Sequence, residues 1–215
     1  MYKLYNVRRW GSMAPHFLLE ELDVPYTNVW MTAEQVREPA FKEISPLGFV
    51  PALGLSDGRV VFESAAIMDF LLSTWPDKGM SPPIGSSGYG VCLAWISFMA
   101  SNLYPAISMA FHPDTYADNE AERARLIAKG AAESNRLFDV INARLATEGP
   151  FLAGDDYSAA DLYLLMCAVW AQPSETALLE RCKNIAWVLG EVRKRPRLRA
   201  ALDAHGVTEP GAYTE

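Results

Sequence analysis

Two serines stand where an apolar helical pattern begins directly after a β-prone run: Ser12 in Trp10-Gly11-Ser12, and Ser64 in Glu63-Ser64. A helix start leaves backbone N–H groups unpaired and carries partial positive charge, so it attracts anions. A hydroxyl at the same place adds a hydrogen bond. Ser64 with its first turn suits a carboxylate. Ser12 suits a thiolate, and the phenol of Tyr5, near the end of the first run, has a competing claim. Either serine can equally be a plain N-cap. Between them lies Ser45-Pro46-Leu47-Gly48-Phe49-Val50-Pro51-Ala52-Leu53. A proline at a strand start marks a turn and is a place for a cis bond. A cis Val50-Pro51 bond would turn the Val50 backbone outward, where an extended peptide could pair with it as an extra strand. The other reading is a proline guarding an edge strand. A fourth stretch, Tyr157-Ser158-Ala159-Ala160-Asp161-Leu162, is structural. Ser158 and Asp161 form a capping box, and Tyr157 and Leu162 occupy the staple positions around it.

The elements that position these residues change character along the chain. Tyr2–Val7, Tyr26–Met31, Val50–Leu55 and Arg59–Phe62 read as strands, the last two around an Asp57-Gly58 hairpin signal. Helices are expected from Ser12, between Thr32 and Ile44 in irregular form, and from Glu63 onward. The order β-α-β-α-β-β-α makes a small mixed sheet with helices on it. Residues 76–88 are rich in Pro, Gly and Ser, as linkers are. Beyond them the strand signals vanish. Six helical patterns follow, and in the second of them Leu126, Ile127, Leu137, Phe138, Ile141 and Leu145 form a stripe. The expected division is an α/β domain over 1–76, a linker over 77–88 and an all-helical domain over 89–215.

Composition removes several function classes. Half of the 215 residues are hydrophobic and 21% are charged, enough for a buried core. The net charge of −7 repels phosphate backbones and argues against nucleic-acid binding. The basic run Arg193 to Arg199 alternates with apolar residues and reads as a solvated helix face. Three cysteines without a CxxC pair fit a reducing cytoplasm, and three distant histidines offer no metal cluster. Val91 to Phe111 carries no formal charge, but serines, an asparagine and Pro105 interrupt it and no basic residue flanks it closely. It reads as a buried helix rather than a membrane span.

Along nearly its whole length the chain resembles the cytosolic glutathione transferases. Pro39-Ala40-Phe41 through SPLGFVPAL is similar to that family's loop into its cis-proline. Glu63-Ser64 looks like its acid-serine pair, and Phe151 to Asp155 with the Ser158 box looks like its folding motif. Gly11-Ser12-Met13-Ala14-Pro15-His16 is similar to the bacterial beta-type pattern Cys-Ser-x-Ala-Pro-His, with Gly11 where that class has its cysteine. The resemblance implies a thioredoxin-like domain followed by an all-helical one, and a homodimer with glutathione as co-substrate and no metal. Phe49, Val50, Pro51, Glu63 and Ser64 would hold the tripeptide, with Ser12 or Tyr5 activating its thiol. Phe49 departs from a family position that is often basic. An apolar electrophile would sit between the domains among Trp10, Tyr104, Ile107, Ser108, Phe111, His112 and Trp170. The alternatives are a binding protein that kept the fold without turnover, and another glutathione-dependent enzyme such as an isomerase, ether-cleaving enzyme or peroxidase.

Overall fold

The first strand, β1 (Tyr2–Asn6), sits inside a four-stranded sheet of order β2-β1-β3-β4. The computed structural model describes residues 1–212. β1 runs parallel to β2 (Tyr26–Trp30), with Tyr2 opposite Tyr26, because the crossover through α1 (Met13–Leu22) brings the chain back in the same direction. β3 (Ala52–Gly54) pairs antiparallel with β1, Tyr5 opposite Ala52, and with β4 (Val60–Phe62), Ala52 opposite Phe62. The hairpin closes at Gly58, whose φ of 87° needs a residue without a Cβ. The irregular helix expected over 32–44 is two pieces, α2 (Ala33–Arg37) and α3 (Pro39–Lys42). Pro39 forces the preceding Glu38 into extended backbone (φ −65°, ψ 144°), which ends α2.

After α4 (Ser64–Thr74) the chain is helical. α5 (Ser87–Phe98) continues through a wide π-type turn, Met99–Leu103, into α6 (Tyr104–Phe111). The expected kink at Pro105 therefore falls in the turn before it, and the proline occupies the first turn of α6, where its missing N–H costs nothing. The rod over 87–111 is long and apolar enough, by length and composition, to cross a membrane. Its buried side, Cys92, Ile96, Met99, Leu103 and Ile107, is part of the main core. α7 (Glu120–Thr147) follows the predicted stripe only in its second half. Leu137, Phe138, Ile141 and Leu145 are buried, but Ile127 is 44% exposed. The first half is held by close approach instead. A Cβ on Gly130 would lie 2.7 Å from both the Ala106 carbonyl and the Ala110 nitrogen of α6.

α8 (Ala159–Ala168) is buried throughout. At its start the Asp161 carboxylate accepts from Leu152 N (3.0 Å), Ser158 N (2.9 Å) and the Ser158 hydroxyl (3.0 Å). Burial nevertheless pushes its pKa up to about 6. α9 (Glu175–Arg181), α10 (Lys183–Arg193) and α11 (Arg199–His205) complete the helical part. The basic run is a solvated face only in part: Lys194, Arg197 and Arg199 are exposed, while Arg193 and Arg195 reach buried acids. Arg193 pairs with buried Glu175 (2.6 Å), Arg195 grips Glu21 of α1 with two bonds (2.8 and 2.6 Å), and Arg197 pairs with Asp23 (2.8 Å). Lone apolar residues between the arginines gave no sign of acidic partners so far away in sequence. Together the elements form a thioredoxin-like domain followed by an all-helical one.

Candidate functional site

The loop from β1 to α1 decides what the helix start can offer. Ser12 is fully buried, donates its hydroxyl proton to Asn6 Oδ1 (2.5 Å) and accepts from Val7 N (3.2 Å). It makes no side-chain cap to α1. The expected use of Ser12 as N-cap is therefore corrected: the hydroxyl closes the loop on itself. Tyr5 faces the other way. Strand alternation puts Leu4 and Asn6 on one face and Tyr5 on the other. There its ring meets Phe41 edge-on (5.7 Å) in a smaller core with Val7, Val36, Val50 and Ala52. Trp10 packs against the same small core.

Three segments converge on Gly11. A Cβ built there would lie 3.1 Å from the Tyr104 hydroxyl and 3.6 Å from the Val50 carbonyl oxygen. The Val50-Pro51 bond is cis. Neither the N–H nor the C=O of Val50 makes a hydrogen bond among the described residues. Tyr104 opens α6, half-buried, with its ring edge-on to Trp170 at 5.3 Å and 89°. The Trp170 indole donates to the Arg9 carbonyl (3.0 Å), which ties this wall to the loop beside Gly11. Burial, reinforced by Cys167 and Glu63, pushes the Tyr104 phenol up to about 12, so at neutral pH it is an O–H donor.

The start of α4 borders the same space. Glu63 holds φ 68° and ψ 119°, a conformation that side chains rarely adopt and that costs of order 1–3 kcal/mol. It turns the chain sharply from β4 into the helix and leaves the first N–H groups of α4 open. Ser64 Oγ lies 2.7 Å from the hydroxyl of Tyr163 in α8. Burial raises the Tyr163 pKa, so that phenol stays protonated. With Tyr163 donating, the Ser64 proton is free for a ligand.

Of the remaining sequence-predicted residues, Ser108 and Phe111 are half-buried on the Tyr104 face of α6, and His112 is exposed at its end. Ile107, at 3% exposure, belongs to the main core at the buried edge of that face. Phe49 projects outward, 64% exposed. Sequence reasoning missed Tyr163, which stands 99 residues from Ser64 with no local signal of the contact. It also placed Tyr104 only on an apolar wall and not beside Gly11. No group of three or more His, Cys, Asp or Glu side chains among the described residues is arranged to hold a metal ion.

A second polar seam pins α1 to α11. The backbone N–H of Arg9 donates to His205 Nδ1 (3.1 Å), so the neutral ring keeps its proton on Nε2 and donates to His16 Nδ1 (2.9 Å). Burial lowers both histidines, His16 to about 4 and His205 to about 3, the latter also under the charges facing it from His16, Arg8 and Arg9.

Residues 12–74 match the family described as Glutathione S-transferase, N-terminal domain, and residues 98–196 match Glutathione S-transferase, C-terminal domain. The chain is 28% identical to the glutathione S-transferase GstA of Escherichia coli O157:H7 over 200 residues, covering 91% of this chain and 94% of that one. Among solved structures it is similar to a sphingomonad glutathione S-transferase complexed with glutathione (TM-score 0.81, 27% identity, 95% and 99% covered). It is also similar to a glutathione S-transferase from Xylella fastidiosa (TM-score 0.86, 25% identity, 96% and 100% covered).

Proposed function

The chain belongs to the glutathione S-transferase family, and on that premise we propose that it activates the glutathione thiol for attack on apolar electrophiles, a detoxification chemistry. The observation that carries the reading is the unpaired Val50 backbone lying between two anion-receptive features, the α4 start and the Gly11 corner. The tripeptide extends along Val50 and Pro51. Its γ-glutamyl carboxylate takes the Ser64 proton and the open N–H groups beside Glu63, and its sulfur lies toward Gly11. Phe49 flanks the edge. The electrophile rests against Tyr104, Ser108, Phe111 and Trp170 of the helical domain, with His112 at the rim.

A free thiol has a pKa of about 8.5, so only a few per cent is thiolate at pH 7. Each unit of lowering needs about 1.4 kcal/mol of preferential thiolate stabilisation, and one hydrogen bond to a charged group supplies about 1.5–3 kcal/mol. One well-placed donor therefore makes the thiolate a major species near neutrality. The sulfur then attacks an electrophilic carbon.

The same reading includes a division at 1–76, 77–88 and 89–215, of which residues 213–215 lie outside the described ones. It includes a homodimer, supported by the exposed Leu47, Phe49 and Phe62 that a second copy would cover, and a cytoplasmic setting without nucleic-acid or membrane partners, supported by three buried free cysteines. The test is calorimetric titration with glutathione alongside turnover of an activated aryl halide. Absence of saturable binding would end the reading. Binding without turnover would leave the binding-protein alternative, which the internal use of the Ser12 hydroxyl favours.

A further inference from the structure

We propose that Tyr104, supplied by the helical domain, is the hydrogen-bond donor to the glutathione sulfur; this rests on the reading of the cleft as a glutathione site. The argument is one of close approach and of free protons. Gly11 is not in the left-handed region, so its backbone does not require glycine. What glycine permits there is close approach: even a methyl group would sit 3.1 Å from the Tyr104 hydroxyl and 3.6 Å from the Val50 carbonyl oxygen. A tripeptide paired on Val50 with its carboxylate end at Ser64 brings its middle residue, the one that carries sulfur, to this corner beside the phenol.

The other hydroxyls nearby are occupied or turned away. Ser12 gives its proton to Asn6, Tyr163 engages Ser64, and Tyr5 lies on the opposite face of β1 against Phe41. The Trp170 indole is bound to the Arg9 carbonyl. The Tyr104 hydroxyl makes no hydrogen bond among the described residues. Its ring is held edge-on by Trp170 and its backbone by the start of α6, so the phenol is aimed before any ligand arrives. Burial keeps it protonated through the working range of pH.

The step balances without a further reagent. The thiol releases its proton to solvent, and Tyr104 donates a hydrogen bond to the resulting thiolate while keeping its own proton. A sulfur lone pair then forms the S–C bond, and the bond from carbon to the leaving group breaks with its electron pair. Tyr104 is thus a donor and not a base.

The experiment follows the ultraviolet absorbance of the bound thiolate against pH in wild type and Tyr104→Phe. Glutathione affinity is measured by calorimetry below the thiol midpoint. Phenylalanine keeps the ring against Trp170, so the fold should stand. The expected result is a midpoint raised by about one unit or more, with affinity for the protonated tripeptide within about twofold of wild type. Gly11→Ala is the second probe. Its methyl group would crowd the phenol at 3.1 Å, and it should both raise the midpoint and weaken binding. Saturable binding with an unmoved midpoint in Tyr104→Phe would overturn the assignment of Tyr104 and leave the glutathione site intact. No saturable binding in wild type would overturn both. A Gly11→Ala protein that matches wild type in both readouts would remove the sulfur from this corner, and Tyr104 with it.

Discussion

Ser12 and Ser64 occupy equivalent places, each where the chain leaves the sheet for a helix, and they differ in what stands behind the hydroxyl. Behind Ser12 the end of β1 curls back, so Asn6 and Val7 claim the oxygen and the side chain is sealed from solvent. Behind Ser64 a phenol from another domain can donate, which leaves the serine half-exposed with its own proton unspent. A helix start becomes a binding site when a second donor satisfies the hydroxyl oxygen from the rear. It becomes part of the frame when local backbone does so. The seam at the Ser12 side continues in the same manner through His16 and His205, which bond to each other and which burial keeps neutral.

The largest effect that sharpens this contrast is in acid. For His16 and His205 the folded pKa values lie below the unfolded value of about 6.5, so the unfolded chain binds more protons between the two. Their contribution is complete above pH 6.5 and is lost as pH falls toward 4, at up to about 1.4 kcal/mol per histidine per pH unit. Denaturation midpoints measured from pH 7.5 to 4.5 should fall below pH 6.5, less steeply below pH 6 where folded Asp161 takes up a proton and offsets one histidine's share, and His205→Gln should flatten that fall. A flat wild-type profile would show that the seam does not bear on stability. Next in size is Ser12→Ala. It leaves a buried amide oxygen on Asn6 and the Val7 N–H without their partner, which costs about 2–4 kcal/mol of stability. The pH midpoint of the bound thiol should stay where it is. Unchanged stability with a moved midpoint would reverse the roles of the two serines.

Much of this frame is legible along the chain because its signals are local. Prolines, glycines and β-prone runs mark the strands, the break at Pro39 and the loop into Pro51, and period-two burial in β1 follows from Leu4 and Asn6. The site is half legible. Glu63-Ser64 and Val50 are visible as types at a junction, but the state of each hydroxyl depends on contacts of a different kind. Ser12 is taken by a residue only six positions back, through a loop shape that no propensity encodes. Ser64 and Gly11 depend on Tyr163 and Tyr104, brought in by helices across a domain boundary. The same reason hid the arginine pairs of the 193–199 run, whose partners Glu21 and Asp23 lie at the end of α1.

Third in expected size is Ser64→Ala. Removing a hydroxyl that donates to a carboxylate at a helix start costs about 1.5–3 kcal/mol of glutathione binding, roughly tenfold or more in affinity. The alanine protein should denature within about 0.5 kcal/mol of wild type, because a half-exposed hydroxyl can be replaced by water. Calorimetry that returned the wild-type affinity would take Ser64 out of the site and make both serines structural.

The smallest effect is the one that tests why the two serines differ. Tyr163→Phe keeps the aromatic ring in the core and deletes only the hydroxyl behind Ser64. Ser64 then has no donor at its rear, its oxygen is free to turn, and its proton can be spent elsewhere. The loss expected in glutathione affinity is about 0.5–1.5 kcal/mol, between twofold and about tenfold. A purely structural role for Tyr163 would lower stability and leave affinity alone. A double-mutant cycle separates the two, since residues in one hydrogen-bonded unit are not additive. In the Ser64→Ala background Tyr163→Phe should cost almost nothing further, because the oxygen it satisfies is gone. An equal cost in both backgrounds would mean that Tyr163 reaches the ligand by another route and that Ser64 does not owe its free proton to the phenol.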